Sequence, residues 1–226
     1  MTRIFRGFKK NILYLSLMIL IPVVNIAYGL LDNSVRGYYI LVTEIDRQVP
    51  YIKEFIVIYW IWYPFIILSL IFFCIYHKET YYKVLFTIII GMIVCYIIYF
   101  FFQTTVPRPE IYGKDFFSQF VRLTYKLDKP FNCFPSIHVL TSYSVIKGAK
   151  DAFKDNIKGK TAIYITGILI ILATQFVKQH VILDVIVAII LCEVIYRFIV
   201  GPVLERSFLW IKKFCLWLTM KKKLEI

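Results

Sequence analysis

Two stretches of the chain, Asn11–Leu31 and Phe55–Tyr76, run without a charged residue, and so does the segment 84–107. Within them apolar residues occupy nearly every position rather than one face of a helix. Such a run, about 20 residues long, matches the ~30 Å apolar thickness of a bilayer. Three further runs are shorter or carry a few polar groups. Segment 131–146 contains His138, segment 161–177 is uncharged, and segment 180–201 contains Asp184, Glu193 and Arg197. All six are read as transmembrane helices. Pro22 and Pro64 lie inside two of them, which membrane helices tolerate when neighbouring groups satisfy the freed carbonyls. The basic start, with Arg3, Arg6, Lys9 and Lys10, leads into a first run too long for a usual signal-peptide core and without a small-residue cleavage site, so it is read as an uncleaved span.

Composition agrees with this pattern. The 226 residues are 60% hydrophobic and 18% charged, against ~45–50% and ~25% in soluble domains. This excludes soluble globular, disordered and disulfide-scaffold classes. A net charge of +13 would point to nucleic acid in a soluble protein. Here the positive-inside rule accounts for it, and no nucleic-acid partner is expected. With the N-terminus inside, Lys and Arg fall on the inner side roughly twice as often as on the outer. The expected protein is therefore all-α, a six-transmembrane-helix bundle in the cytoplasmic membrane with both termini in the cytoplasm. It forms a single domain over 1–226. Segment 32–54 is an outer connection of mixed charge. The tail, about 203–226, has helical apolar spacing and a basic face suited to the inner leaflet. The five cysteines are expected to form no disulfide.

In this topology the polar residues of the third to sixth spans gather at their outer ends. Arg108 follows the third span in Val106-Pro107-Arg108-Pro109. Ser136 and His138 open the fourth in Phe134-Pro135-Ser136-Ile137-His138. Lys178, His180 and Asp184 lie between the fifth and sixth. Ionisable groups at the margin of a span are costly to hold there and point to function. His180 and Asp184 are i, i+4 and share a helix face. A carboxylate on one imidazole nitrogen fixes the tautomer and leaves the other free to attack. His138 can protonate a leaving oxygen. Arg108 and Lys178 suit phosphoryl oxygens, and Ser136 at a helix start directs free N–H groups at the same anion. Glu193 and Arg197, also i, i+4, read as a structural ion pair, and His77 as a solvated side chain. A transporter would place its polar groups near the midplane, often with internal repeats, so that reading ranks below an enzyme.

The arrangement resembles the membrane branch of the type 2 phosphatidic acid phosphatase superfamily. That family's second motif, Pro-Ser-x-His, matches Pro135-Ser136-Ile137-His138. Its third ends in His-x-x-x-Asp, matching His180 and Asp184, and its first ends in Arg-Pro, matching Arg108-Pro109. The motif-bearing core spans about 84–200. Two family cations are replaced: the lysine of the first motif by Phe101, and the arginine of the third by Thr174. Lys178-Gln179-His180 is similar to a branch that includes inositol phosphorylceramide synthase-like phosphotransferases. The resemblance implies a lipid phosphatase without metal or other cofactor, acting at the outer face through a phosphohistidine. Its substrate would be a lipid phosphate or diphosphate. His180, His138 and Asp184 would be catalytic, and Arg108, Lys178 and Ser136 would bind phosphate. Transfer of a phospho-headgroup between lipids is the alternative.

Overall fold

The computed structural model describes residues 11–33, 35, 37–153 and 156–207, and the chain is mostly helical. The first apolar run forms α1, Asn11–Leu31, with a 3-10 turn at Ser16–Ile19. A short strand, β1 (Tyr39–Ile40), and one helical turn, α2 (Glu44–Gln48), follow within the mixed-charge connection. Thr43 and Asp46 cap α2 reciprocally, each side chain accepting the other's backbone N–H. The second run is α3, Phe55–Tyr76, and the third is α4, Lys78–Phe101. Helix α4 begins earlier than its uncharged stretch, since Lys78, Glu79 and Lys83 continue the helix beyond the apolar segment. It also stops earlier: Phe102 leaves helical geometry, and Thr104–Thr105 forms β2, paired parallel with β1.

An element the hydrophobic pattern did not announce comes next. Helix α5, Phe116–Leu127, buries Ser118, Val121 and Thr124 on one face and exposes Arg122 and Lys126 on the other. Asp115 caps it, accepting from the Ser118 amide at 3.2 Å. The fourth run begins as a helix only at Ile137, because Pro135 offers no N–H and Ser136 takes the cap position. This helix, α6, then runs to Ala152, past the expected end. Helix α7 is Ile157–Phe176. Helix α8, Ile182–Val194, continues through a π-helical stretch, Ile195–Val200, to residue 207. The basic tail expected at 203–226 lies outside the described residues from 208 onward.

Among the described residues, α1, α3, α4 and α7 are long and apolar enough to cross a membrane. Helix α6 lies in the middle, packed on α3, α4, α7 and α8. Its neighbours approach closely because they present glycine. A Cβ at Gly91 of α4 would meet Leu140 of α6 at 2.7 Å, and one at Gly167 of α7 would meet Ile146 at 2.7 Å. The core between them includes Leu70, Phe73, Leu85, Ile88, Leu140 and Ile170, all fully buried. Helix α1 is peripheral; it leans on α4 and hardly touches α3.

This packing brings together one set of helix ends. The ends of α1, α4 and α7 and the starts of α3, α6 and α8 meet beneath α2 and α5. At the opposite end of the bundle, Glu193 of α8 pairs with Lys147 at 2.9 Å and with Arg197 at 2.6 Å. His77, at the α3–α4 junction, is half-buried and rests on the rings of Phe72 and Phe153.

Candidate active site

The α7–α8 junction carries His180. After Phe176 the chain reverses through Lys178, whose φ of 53° lies in the left-handed region uncommon for a residue with a side chain. The turn is held by the Thr174 carbonyl, which accepts the amides of Gln179 at 2.9 Å and His180 at 3.2 Å. Asp184 sits one turn into α8 and is fully buried, while His180 is 8% exposed. Asp184 Oδ2 accepts the Val181 amide at 3.0 Å and lies 3.1 Å from His180 Nδ1. Where Asp184 is ionised it can only accept, which puts the hydrogen on Nδ1 and leaves Nε2 its lone pair.

The α6 start brings the second histidine. Ser136 Oγ accepts the Val139 amide at 3.2 Å as the helix cap, and the Ser136 amide donates to the Asp184 carbonyl at 3.3 Å. That bond ties the α6 and α8 starts together. Tyr99 of α4 fixes the preceding turn by donating to the Pro135 carbonyl at 2.5 Å. His138, on the first turn of α6, packs between Tyr59 and Trp62 of α3, with ring centroids 4.7 and 4.4 Å away. Its ring lies 5.7 Å from that of His180.

Arg108 approaches from the α4–α5 connection. It donates to the Asp128 carbonyl at 2.7 Å and the Tyr125 carbonyl at 3.2 Å, lies 4.4 Å from the Tyr125 ring centre, and donates to Gln179 Oε1. These contacts fix the fork but leave its Nε buried and unpartnered. Gln179 Nε2 and Asn132 Nδ2 are likewise buried donors with no partner among the described residues. Asn132 is oriented by Gln103, which donates to its amide oxygen at 2.8 Å. Three unmet donors around one histidine are unusual in a folded interior, where polar groups are nearly always paired. Together they make an environment that favours an anion. Lys178 is committed differently: its Nζ donates to the carbonyls of Val49 at 2.6 Å and Asp46 at 3.2 Å. Burial pushes its pKa below that of an ordinary lysine.

Two cavities meet at His180. One, about 390 Å³, is lined by Arg47, Arg108, Lys178 and Asp46. The other, about 210 Å³, is lined by Tyr59, Trp60, Trp62, Asp128, Asn132 and His138. An imidazole held by a carboxylate, between an anion-seeking wall and a second histidine, is suited to phosphoryl transfer. A family model for the PAP2 superfamily matches residues 80–206. The chain belongs to that superfamily. No curated protein and no solved structure matches it.

PAP2 superfamily members are typically phosphoesterase hydrolases, and the matched region contains all six residues singled out in the sequence. His180, His138, Asp184, Ser136 and Arg108 converge on one site. Lys178 lines the same cavity as Arg108, with its ammonium turned toward α2. The two replaced family cations fall apart in space. Thr174 is fully buried in the reversal beneath His180, whereas Phe101 is 78% exposed on the outside of α4. Asn132, Gln179, Asp128 and Asp46 escaped the sequence reading. Asn132 and Asp128 sit in an ordinary-looking polar connection, and Gln179 stands beside two more conspicuous residues. Asp46 is a buried acid whose Oδ1 accepts the Ile182 amide at 2.8 Å, bracing the α8 start.

Proposed function

We propose that this PAP2-superfamily protein is a lipid phosphatase that works through a phosphohistidine. The observation that carries this reading is the His180–Asp184 dyad, set 5.7 Å from His138 and beside three unpartnered donors. His180 Nε2 attacks phosphorus, and the bond from phosphorus to the lipid oxygen breaks. His138 gives that oxygen its proton. Water then attacks the phosphohistidine, with His138 taking a proton from it. Arg108 Nε, Gln179, Asn132, Ser136 and the remaining hydrogen of Lys178 hold the charge that builds on the equatorial oxygens. Such preorganised contacts are commonly worth several kcal/mol.

The alternating direction of the helices at the site supports six spans, with α6 and α8 crossing beside the four long apolar helices. Helix α6, 16 residues, is about 24 Å long at 1.5 Å per residue and is surrounded by other helices rather than lipid. The excess of basic residues opposite the site supports an outer-face site in the cytoplasmic membrane. Detergent-purified protein in chelator should release inorganic phosphate from a lipid monophosphate or diphosphate, and acid-labile ³²P should appear on His180. Absence of phosphate release across both substrate types, with label moved instead into a new phospholipid, would replace hydrolysis by transfer.

A further inference from the structure

The reversal that carries His180 is pinned by groups that lie before the family-matched region. The match begins at residue 80, whereas the pinning groups belong to the connection between α1 and α3. Segment 46–52 is bonded to the end of α7, to the reversal itself and to the start of α8. The Ile52 amide donates to the Phe176 carbonyl at 3.0 Å, where α7 ends. Within the reversal, Lys178 Nζ reaches the carbonyls of Asp46 and Val49. Asp46 Oδ1 accepts the Ile182 amide at 2.8 Å, where α8 begins. A histidine on a short connection needs such fixing, because positions in loops are held less closely than positions inside helices.

Asp46 does more than cap α2. It is 7% exposed, and a buried carboxylate is costly unless its oxygens are engaged. Oδ2 accepts the Thr43 amide at 2.7 Å and the Thr43 hydroxyl at 2.6 Å. That is all a one-turn helix asks of its capping acid, and an exposed acid would supply it. Oδ1 is turned to α8 instead. Two acids therefore divide the first amides of that helix: Asp184 Oδ2 takes Val181 at 3.0 Å, and Asp46 takes Ile182. The division bears on His180, because the same Asp184 oxygen lies 3.1 Å from its Nδ1. Asp184 Oδ1 is buried without a partner among the described residues. With Asp46 removed, that oxygen is the open acceptor for the Ile182 amide in the same helical turn. The Asp184 carboxylate would then be drawn toward the helix amides and away from the imidazole.

Resting on the phosphatase reading for its catalytic consequence, we propose that Asp46 is a positioning residue for the His180–Asp184 dyad, supplied by the connection between α1 and α3. It touches neither phosphorus nor the leaving oxygen. Its effect is on orientation alone, so its loss lowers kcat and spares substrate binding. The test uses the full chain in detergent, with a long-chain glycerolipid monophosphate in mixed micelles. Asp46→Asn keeps the shape but offers one carbonyl oxygen to the Thr43 and Ile182 donors together, and it should lower kcat about tenfold. Asp46→Ala offers none and should lower kcat about 10²-fold, the scale of a misplaced catalytic group. KM should stay within about threefold of wild type in both. The chain has 3 histidines, so ¹⁵N-histidine labelling resolves the His180 ring, assigned by its absence in His180→Ala. The His180 Nδ1 resonance should shift in both variants, while that of His77, at the opposite end of the bundle, stays in place. Folded Asp46→Asn with kcat within about twofold of wild type overturns the proposal. A loss of kcat that leaves the His180 resonance unmoved overturns it as well, and makes Asp46 a structural acid only. If Asp46→Ala does not fold, Asp46→Asn decides by the same two readings. Absence of phosphate release by wild-type protein, from this lipid and from a lipid diphosphate, overturns the phosphatase reading instead. The His180 resonance then still decides whether Asp46 sets the dyad.

Discussion

The two ends of the bundle treat their polar residues in opposite ways. At one end, Glu193 accepts from Tyr143 at 2.6 Å and pairs with both Lys147 and Arg197, while Tyr196 donates to Asp151 at 2.6 Å. Glu193, Lys147 and Arg197 share one ion-pair network there, and Asp151 accepts a phenol. At the other end Arg108 Nε, Gln179 Nε2, Asn132 Nδ2 and Asp184 Oδ1 are buried without a partner among the described residues. Helix α8 contributes to both ends, so the difference does not come from depth or helix type alone. Leaving a buried donor unmet costs about 1–3 kcal/mol, which a fold sustains where a ligand will supply the missing acceptor. Matched polar groups hold a structure together, whereas unmatched ones gathered at one end of the bundle are arranged for something else.

The sharpest way to break this contrast is His180→Ala. It removes the proposed nucleophile and should lower turnover by more than about 10³-fold, by analogy with loss of a nucleophile from a coupled catalytic unit. The thermal unfolding midpoint in detergent should stay within a few degrees. Retention of more than a few per cent of wild-type activity would mean the phosphoryl group is attacked by something else. Arg108→Lys comes next. It keeps the charge and can still reach a carbonyl, but it deletes the planar fork and the unpartnered Nε. Phosphate release should fall about 10²–10³-fold, as expected for a lost transition-state donor. A fall of less than threefold would assign Arg108 to holding Asp128 and Tyr125 rather than to phosphate.

Much of this site was legible in the sequence because its chemistry depends on short-range spacing. His180 and Asp184 are one helical turn apart, and Ser136 caps the helix that carries His138, so local geometry alone brings those groups near. The long apolar helices were equally plain, since uninterrupted hydrophobicity needs no partner to be recognised. What escaped was set by tertiary contacts. Helix α5 is too polar to register as a span and shows its buried face only against α3. Asn132 gains its meaning from Gln103, and Asp46 from Lys178 and Ile182, all of them distant along the chain. From the sequence, Lys178 was expected to bind phosphate. Its backbone turns it toward α2, where it spends two of its hydrogens on carbonyls.

Lys178 therefore sharpens the contrast with a smaller effect. Its ammonium is shared between the outer segment and the cavity, so Lys178→Met should reduce kcat/KM about tenfold rather than eliminate it. The pH profile separates charge from scaffolding. Burial shifts this ammonium toward losing its proton at lower pH than an ordinary lysine. A lysine is charged below its pKa, so its contribution is present at lower pH and fades as pH rises through the lowered value. Lys178→Arg stays charged throughout and should carry the alkaline limb of kcat/KM to higher pH. If both proteins fall off at the same pH, the ammonium does not act on the substrate.

The smallest effect on turnover is expected at the matched end, and it tests the comparison most directly. Glu193→Gln preserves the shape of the side chain and its ability to accept from Tyr143, but it removes the charge that Lys147 and Arg197 share. Hydrogen bonds to charged groups are worth about 1.5–3 kcal/mol, and part of that remains with the amide. The loss should be about 1–2 kcal/mol of stability, seen as a lower unfolding midpoint in detergent. Turnover at a temperature where both proteins are folded should agree with wild type within about twofold. Glu193 sits just before the π-helical stretch Ile195–Val200, so its charge also bears on the one irregular segment of α8. If the folded variant loses most of its activity, the two ends are coupled along α8. The matched network would then be setting the position of Asp184, and the division between structural and functional polar groups would fail within a single helix.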